Sequence, residues 1–513
     1  DNAAVDAVID VAAGTYTETV AIGKEVSLMG PNAGVEGSGT RSSEAVVTGG
    51  FVVNGAGATD VSIAGFSVTG SGTPGSRGFL IGNTGAVAGP IAVSNNIIED
   101  WTTGISLAGG ATPGWVSDAT VSGNLIRNNT AGIGSTENVS GLNVANNTFS
   151  GNAEGIGLGP GLTGLAVSGN TFASTNATHI AAYGAGLMPS YSTLYSDNTF
   201  GNAAAVSATT GADYTTAAIY SAIQTAVDNA AVDAVIDVAA GTYTENVVVD
   251  KAIDLRGPNQ DVACGARAAE AAIAPASGLP ISVVADGVSI NGFEITAPSY
   301  QYAVVCGNTS DLTLAFNHIH DINSSASPAS ANTHAIQYTV GNSPAATSNV
   351  SIVDNCFTDI ASANLTGKSA SAISFLQSTT TGTLTGLSIE RNAISNVVVN
   401  DGAWPTGKIA YGILLNAGGG SGYLTSTGKI VNAVIADNVI SGLGGHIATA
   451  IGLEGNAENA SVTGNDVSNL SATKSADRAG GGLDLQALKF ENNRFVGTAT
   501  VENNRFAAET FTH

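Results

Sequence analysis

The sequence predicts an all-β parallel solenoid made of two tandem copies of one module, and three observations carry that prediction. Residues 1–18, DNAAVDAVIDVAAGTYTE, recur without a change at 228–245. Within each module a shorter unit, apolar-x-apolar-x-x-Asn-x-Ile/Phe, returns again and again. Between its copies lie Gly-Ile-x-Leu segments whose apolar residues alternate, which is the strand period and not the helix period. Repeats of this kind stack unit upon unit instead of wrapping one globular core.

The duplication continues loosely beyond its identical start. Gly30-Pro31-Asn32 answers Gly257-Pro258-Asn259, and Val61-Ser-Ile-Ala-Gly-Phe66 answers Val288-Ser-Ile-Asn-Gly-Phe293. The modules are placed at 1–205 and 206–513. At the joint, 214–227 carries Ile219, Ile223 and Val227 at helical spacing. A short amphipathic helix there is expected to cap the open end of the second coil stack, which is otherwise an unpaired edge.

The short unit reads Val93-Ser-Asn-Asn96-Ile-Ile98, then Val121-Ser-Gly-Asn124-Leu-Ile126, and so on to Tyr195-Ser-Asp-Asn198-Thr-Phe200. Its tightest spacing, 23 residues between Asn124, Asn147 and Asn170, suits two or three short strands and leaves no room for a helix in every repeat. Each strand is then expected to pair with its copy about 4.8 Å along the stack. The recurring Asn is expected to form a structural ladder through Asn96, Asn124, Asn147, Asn170 and Asn198, and through Asn317, Asn355, Asn392, Asn438, Asn465 and Asn493. Phe66 and Phe293 hold the equivalent position in the opening coils, so an aromatic stack is expected ahead of each ladder.

Composition narrows the function. Sixteen basic residues against forty acidic ones leave a net charge of −24, which argues against nucleic acid and anionic membranes as partners. No apolar run reaches membrane-spanning length, so membrane insertion is not expected. Calcium is the one cofactor that the acidity leaves open. Cys264, Cys306 and Cys356 are too few for a disulfide framework; a Cys264–Cys306 bridge and buried free thiols are both open.

The run Ala222-Ile-Gln-Thr-Ala-Val227, Ile236-Asp-Val-Ala-Ala-Gly-Thr-Tyr-Thr-Glu-Asn246 and Leu255-Arg-Gly-Pro-Asn259 resembles the start of right-handed parallel β-helix proteins. The resemblance is to the pectin-lyase-like superfamily, and within it to NosD-like bacterial surface and secreted proteins. It covers essentially the whole chain and implies a right-handed parallel β-helix at the cell surface or outside the cell. That superfamily holds lyases, hydrolases, tailspikes and adhesins, so the fold does not choose among them. The hydrolase motifs of the family, Asn-Thr-Asp, Asp-Asp, His-Gly and Arg-Ile-Lys, are missing here, and basic residues are too scarce for an Arg/Lys-rich lyase site.

By alternation, the outward series of the Gly-Ile-x-Leu strand is Ser106, then Gln337, Ser374, Leu414, Gly452 and Asp484. One carboxylate cannot serve as general acid and general base together. The Asn-to-Asn spacing widens to 38, 37 and 46 residues at 317–355, 355–392 and 392–438. The extra residues fall at two corners and are expected to wall a groove bearing Trp404, Tyr411, Tyr423, Lys368, Lys408, Lys429 and Gln337. Aromatic rings beside amines suit a sugar polymer or an acidic ligand. His318 and His320, with Asp321, share one strand but lack a third spaced metal ligand.

Two functions from different classes follow. One is a non-catalytic extracellular structural or adhesive element of a surface, sheath or fibre, whose partner is a second copy met head to tail. The other is a polysaccharide-binding or polysaccharide-cleaving protein that uses the groove. The abrupt start at Asp1, the counterpart of Asp228, fits a segment of a longer array, a chain whose ends associate, or the loss of a leader and cap by truncation or proteolysis.

Overall fold

A computed structural model describes residues 2–110, 115–183, 191–207, 218–323, 332–340, 346–362, 368–377, 382–399, 409–417, 428–473, 484–491, 499–507 and 510–512. Contacts divide the chain into two compact units, Asp1–Ala231 and Val232–His513. The division falls later than the module boundary placed near 205, because Ala218–Tyr220 runs antiparallel to Thr178–Ala182 and Ala204–Ser207 and stays with the first unit.

Each coil contributes three strands, and each strand pairs in parallel with its counterpart on the next coil. In the first unit Val61–Ala64, Ser67–Thr69 and Arg77–Ile81 pair with Val87–Ser94, Ile97–Glu99 and Thr103–Leu107. In the second, Leu312–Ala315, His318–Asn323 and Thr333–Val340 pair with Thr347–Val353, Cys356–Ser362 and Ala370–Gln377. This is a right-handed parallel β-helix. The register places like on like: Ile336, Ile373, Ile413 and Ile451 follow one another, as do Tyr338, Phe375, Leu415 and Leu453, all buried. A slip of one residue would turn each of these rows to the solvent face, so the pattern fixes the register strongly.

The Asn positions form the expected ladder. Asn124 Oδ1 accepts from the Asn96 N–H at 2.9 Å and from Asn96 Nδ2 at 3.1 Å, while Asn96 Nδ2 also donates to the Ile63 carbonyl at 3.0 Å. The same bonds carry on through Asn147, Asn170 and Asn198, and in the second unit through Asn317, Asn355, Asn392, Asn438 and Asn465. The rung after Asn465 is Asn504; Asn493 lies outside the described residues. Phe66 and Phe293 head the ladders by donating their N–H groups to Asn96 and Asn317. The expected aromatic stack takes another form among the described residues: Phe66 meets Phe51 edge-on at 5.4 Å, and Phe51 stacks on Phe79 of another strand at 5.1 Å. The residue before a rung turns left-handed, as at Asn95 (φ 56°), Asn146 (57°), Asp354 (57°) and Asp437 (54°). Asn, Asp and Gly tolerate that conformation best. Arg391 adopts it too (φ 54°), with its guanidinium bidentate on Asp354 at 2.9 and 2.8 Å.

A second ladder, not foreseen from the sequence, runs down another corner of the first unit. Asn129 Oδ1 takes the Trp101 N–H at 3.0 Å, Asn152 takes Asn129, and Asn176 takes Asn152.

Three other expectations change. The helix at the joint spans Ile223–Asn229, not 214–227, of which 214–217 lie outside the described residues. It buries Ile223, Ala226 and Val227 and packs within the first unit on Ala218–Tyr220 and Ala204–Ser207. A further helix, Tyr191–Asp197, replaces the strand expected before Asn198; Asn198 Nδ2 donates to the Leu194 carbonyl at 3.0 Å. The disulfide joins Cys264 to Cys356 and not to Cys306, with Cα atoms 5.8 Å apart across 92 residues. Cys306 points into the core from Tyr302–Gly307, and burial pushes its thiol up to about 12.

Candidate functional site

The second unit owns an eight-stranded parallel sheet of long strands, from Val247–Val249 to Asp484–Glu491. Pairing along it is interrupted at one small residue per coil: Ala335 and Ala372, for example, lie between paired residues on either side. Ala303, Ala335, Ala372 and Ala450 are fully buried there, and a Cβ on Gly412 would stand 2.6 Å from the Ala450 carbonyl oxygen. The interruption lets residues three apart share the outer face. Tyr411 and Leu414 both do so, since a Cβ on Gly452 would meet Tyr411 Cε1 at 3.0 Å and Leu414 Cδ1 at 3.5 Å.

Three outward rows result. The first is Tyr302, His334, Ser371, Tyr411, Thr449 and Gln486. The middle row is Val305, Gln337, Ser374, Leu414, Gly452 and Lys489. The third is Gly307, Thr339, Leu376, Asn416 and Glu454. The middle row therefore ends on Lys489, not on Asp484, which pairs with Ile447 instead. Gly482-Leu-Asp-Leu485 imitates the Gly-Ile-x-Leu segment, but Ala487-Leu488-Lys489-Phe490 is the true counterpart of Ala450-Ile451-Gly452-Leu453.

These rows make a recessed floor. Ser371, Ser374 and Thr449 are 0% exposed, Tyr411 4% and Leu414 6%. Glu454 is its described carboxylate, and the fold occupies it: Tyr411 Oη donates at 2.8 Å, Lys489 Nζ at 2.9 Å and Asn416 Nδ2 at 3.3 Å. His334 Nδ1 and Ser371 Oγ are hydrogen-bonded at 2.5 Å, and the imidazole stacks on Tyr302 at 5.9 Å. Burial lowers its pKa to about 4, so its imidazole is neutral near pH 7.

Three polar atoms of the floor are buried without a hydrogen-bond partner: Gln337 Oε1, Ser374 Oγ and Asn416 Oδ1. Each such atom costs about 1–3 kcal/mol. Gln337 and Ser374 are register partners on adjacent coils, and Asn416 lies on the next. Both amides spend their NH₂ ends inside the protein, Gln337 on Thr339 Oγ1 at 3.2 Å and Asn416 on Glu454.

Of the residues expected to line a groove, Gln337 and Tyr411 stand on this floor. Lys368 lies half-buried in the turn before Ala370–Gln377. Lys429 does not join them: it belongs to another sheet, pairing with Thr383, and its amine meets Glu458 at 3.0 Å. Trp404, Lys408 and Tyr423 lie outside the described residues, as do most of the proposed walls. Asn416, Glu454, Lys489 and the His334–Ser371 pair went unforeseen. The recurrence of a small residue before Ile-x-Leu or Leu-x-Phe was the signal that would have found them.

The histidine pair on the neighbouring sheet is held differently. His318 and His320 stack at 4.2 Å, and His320 is fixed between Glu294 at 2.9 Å and Asp321 at 2.8 Å. Among the described residues no group of three or more His, Cys, Asp or Glu is arranged for a metal ion.

Comparison with known proteins adds the following. The family model described as right handed beta helix region matches residues 49–220. No curated protein matches the chain by sequence. Among solved structures the chain is similar to the catalytic unit of a GH87 alpha-1,3-glucanase from Streptomyces thermodiastaticus, at 11% identity and a TM-score of 0.20. That likeness covers 96% of this chain and 64% of the glucanase, so the chain spans under two thirds of that protein's length. It is also similar to the surface adhesin PfbA of Streptococcus pneumoniae, at 11% identity and a TM-score of 0.23, covering 99% of this chain and 90% of the adhesin. Likeness this slight carries no functional argument.

Proposed function

We propose that the chain is a non-catalytic, extracellular adhesive β-helix protein that binds a polysaccharide on the outer face of the long sheet in its second unit. The observation behind this is the recessed floor itself. Outward residues of a solenoid strand are ordinarily solvated, yet here Ser371, Ser374, Tyr411 and Thr449 are buried and mostly polar. Polar groups laid out at the coil repeat on a rigid sheet suit a repeating polymer, because precise positioning lowers the ordering cost of binding. The Cys264–Cys356 bridge fits an oxidising compartment.

The test is equilibrium binding of the whole chain to soluble polysaccharides, beside a Gly452→Leu variant that fills the floor. Its new side chain meets the end of Tyr411 and not backbone, so the fold is expected to survive. Binding that falls at least tenfold, with an unchanged circular dichroism spectrum, supports the reading. No binding to any polymer class sinks it.

A further inference from the structure

We infer that the ligand of this floor is uncharged and rich in hydroxyl groups, a neutral glycan laid across the strands along the coil stack; the inference rests on the reading above and deepens it. The unpartnered atoms give the ligand's chemistry. Gln337 Oε1 and Asn416 Oδ1 accept hydrogen bonds and nothing else, and Ser374 Oγ accepts or donates. Each amide nitrogen already donates within the protein, Gln337 to Thr339 and Asn416 to Glu454, so the atoms left without a partner are oxygens. What completes the set is a ligand that brings O–H donors.

The charge on the floor agrees. Glu454 and Lys489 neutralise one another at 2.9 Å, and His334 is neutral. A uronate chain would find its one described cation already engaged. A cationic chain would have to draw Glu454 from three donors. The order of the atoms gives the ligand's direction. Gln337, Ser374 and Asn416 stand on three successive coils, so they span about 10 Å along the stack at about 4.8 Å per coil. That is the reach of a disaccharide. All three atoms are closed off from water here, so a ligand touches them only once what covers them has moved.

The experiment titrates the whole chain with three probes: neutral gluco-oligosaccharides, oligogalacturonate and chitosan oligosaccharides. The variants are Ser374→Ala, which removes only an unpartnered oxygen, and Gln337→Met and Asn416→Leu, which also give up the amide's bond to Thr339 or Glu454. The neutral probe is expected to bind best, with affinity changing less than twofold between low and high salt. Each variant is expected to weaken it about tenfold, and for Ser374→Ala the melting temperature holds or rises, since a buried unpaired group is gone and no bond is lost. A purely structural role would not move binding and stability in opposite directions. Three results overturn the inference. Preference for oligogalacturonate, lost in Lys489→Ala, leaves the polysaccharide reading standing and replaces the ligand class. Variants that keep full affinity show that the three atoms do not touch the ligand. Failure of all three probes removes the polysaccharide reading and this inference with it.

Discussion

The same eighteen residues occupy two environments in this molecule. Ile9 is 37% exposed and its duplicate Ile236 is 0% exposed, while Tyr16 is half-buried and Tyr243 is 1% exposed. Local structure is alike: Ala7–Asp10 pairs with Val26–Met29 just as Ala234–Asp237 pairs with Ile253–Arg256, Ile on Leu in both. Both tyrosines donate to the carbonyl four residues back at 3.0 Å. Eighteen residues therefore determine strand, turn and register, but not burial. The lesson extends to the two units. They share the coil and the Asn ladder, yet the middle outward row of the first is Ser106, Gly134, Gly157 and Ala181, a lane of small residues, where the second carries the polar floor.

The largest expected effect tests what the units have in common. Asn392→Ala removes the acceptor of Asn355 and the donor to the Ile352 carbonyl and to Asn438, all buried. Several groups lose partners at once, so a loss of about 4 kcal/mol is expected from the second unit. Asn147→Ala should cost the first unit about as much, since its Asn129 ladder is a separate column of bonds. Denaturant titration with a probe in each unit reads both, and a much smaller loss in either would show that its ladder is dispensable.

The duplicated segment gives the next effect. Ile236→Ala should cost about 3 kcal/mol, as for a buried core truncation, and Ile9→Ala under about 1 kcal/mol. Equal losses would mean that the first coil is covered in solution.

Acid offers a comparison between the units without mutation. His179 of the first unit lies between Phe172 and Phe200 at 5.6 and 5.3 Å, and burial lowers its pKa to about 4. His334 in the second is lowered to about 4 for the same reason. The unfolded chain binds a proton near 6.5 and the folded chain only near 4, so the unfolded state holds more protons between those values. Stability is full above about pH 6.5 and falls as the pH drops toward 4, by up to about 3 kcal/mol per histidine. His179→Phe should flatten the slope of the first unit alone. A slope left unchanged would place the acid sensitivity elsewhere.

How much of this the sequence shows follows from the period of each feature. The ladder Asn residues recur at a fixed place in a fixed motif, so ten of them are legible in it; past Asn465 the motif occurs twice, in Glu491-Asn-Asn-Arg-Phe495 and Glu502-Asn-Asn-Arg-Phe506, and the bond from Asn465 goes to Asn504 of the second copy. The Asn129 ladder was equally regular, with Asn129 and Asn152 each five residues after a named rung, but no flanking apolar motif marked it. Gln337 and Tyr411 were legible because the alternation is local. Glu454 and Lys489 were not: their meeting depends on the register of strands 35 residues apart, and the imitation at Gly482–Leu485 pointed to Asp484. The disulfide was missed for the same reason, since Cys264 and Cys356 are brought together by coils between them.

The smallest effect is the sharpest use of the duplication. Tyr16→Phe and Tyr243→Phe delete the same bond, 3.0 Å long, from the same local turn. Ring burial is untouched in both, and the solvation of the carbonyl left behind differs. Near Tyr16, where Ala12 is exposed, water replaces the lost donor, and a cost of about 0.5 kcal/mol is expected. Near Tyr243 the Ala239 carbonyl is less accessible, its residue being only half-buried but beside a ring that water cannot reach, and about 1 kcal/mol is expected. Chemical denaturation of the two variants with unchanged slopes gives the difference directly. Identical costs would show that the two copies are equally wet at this turn, and would confine the contrast between them to the apolar face.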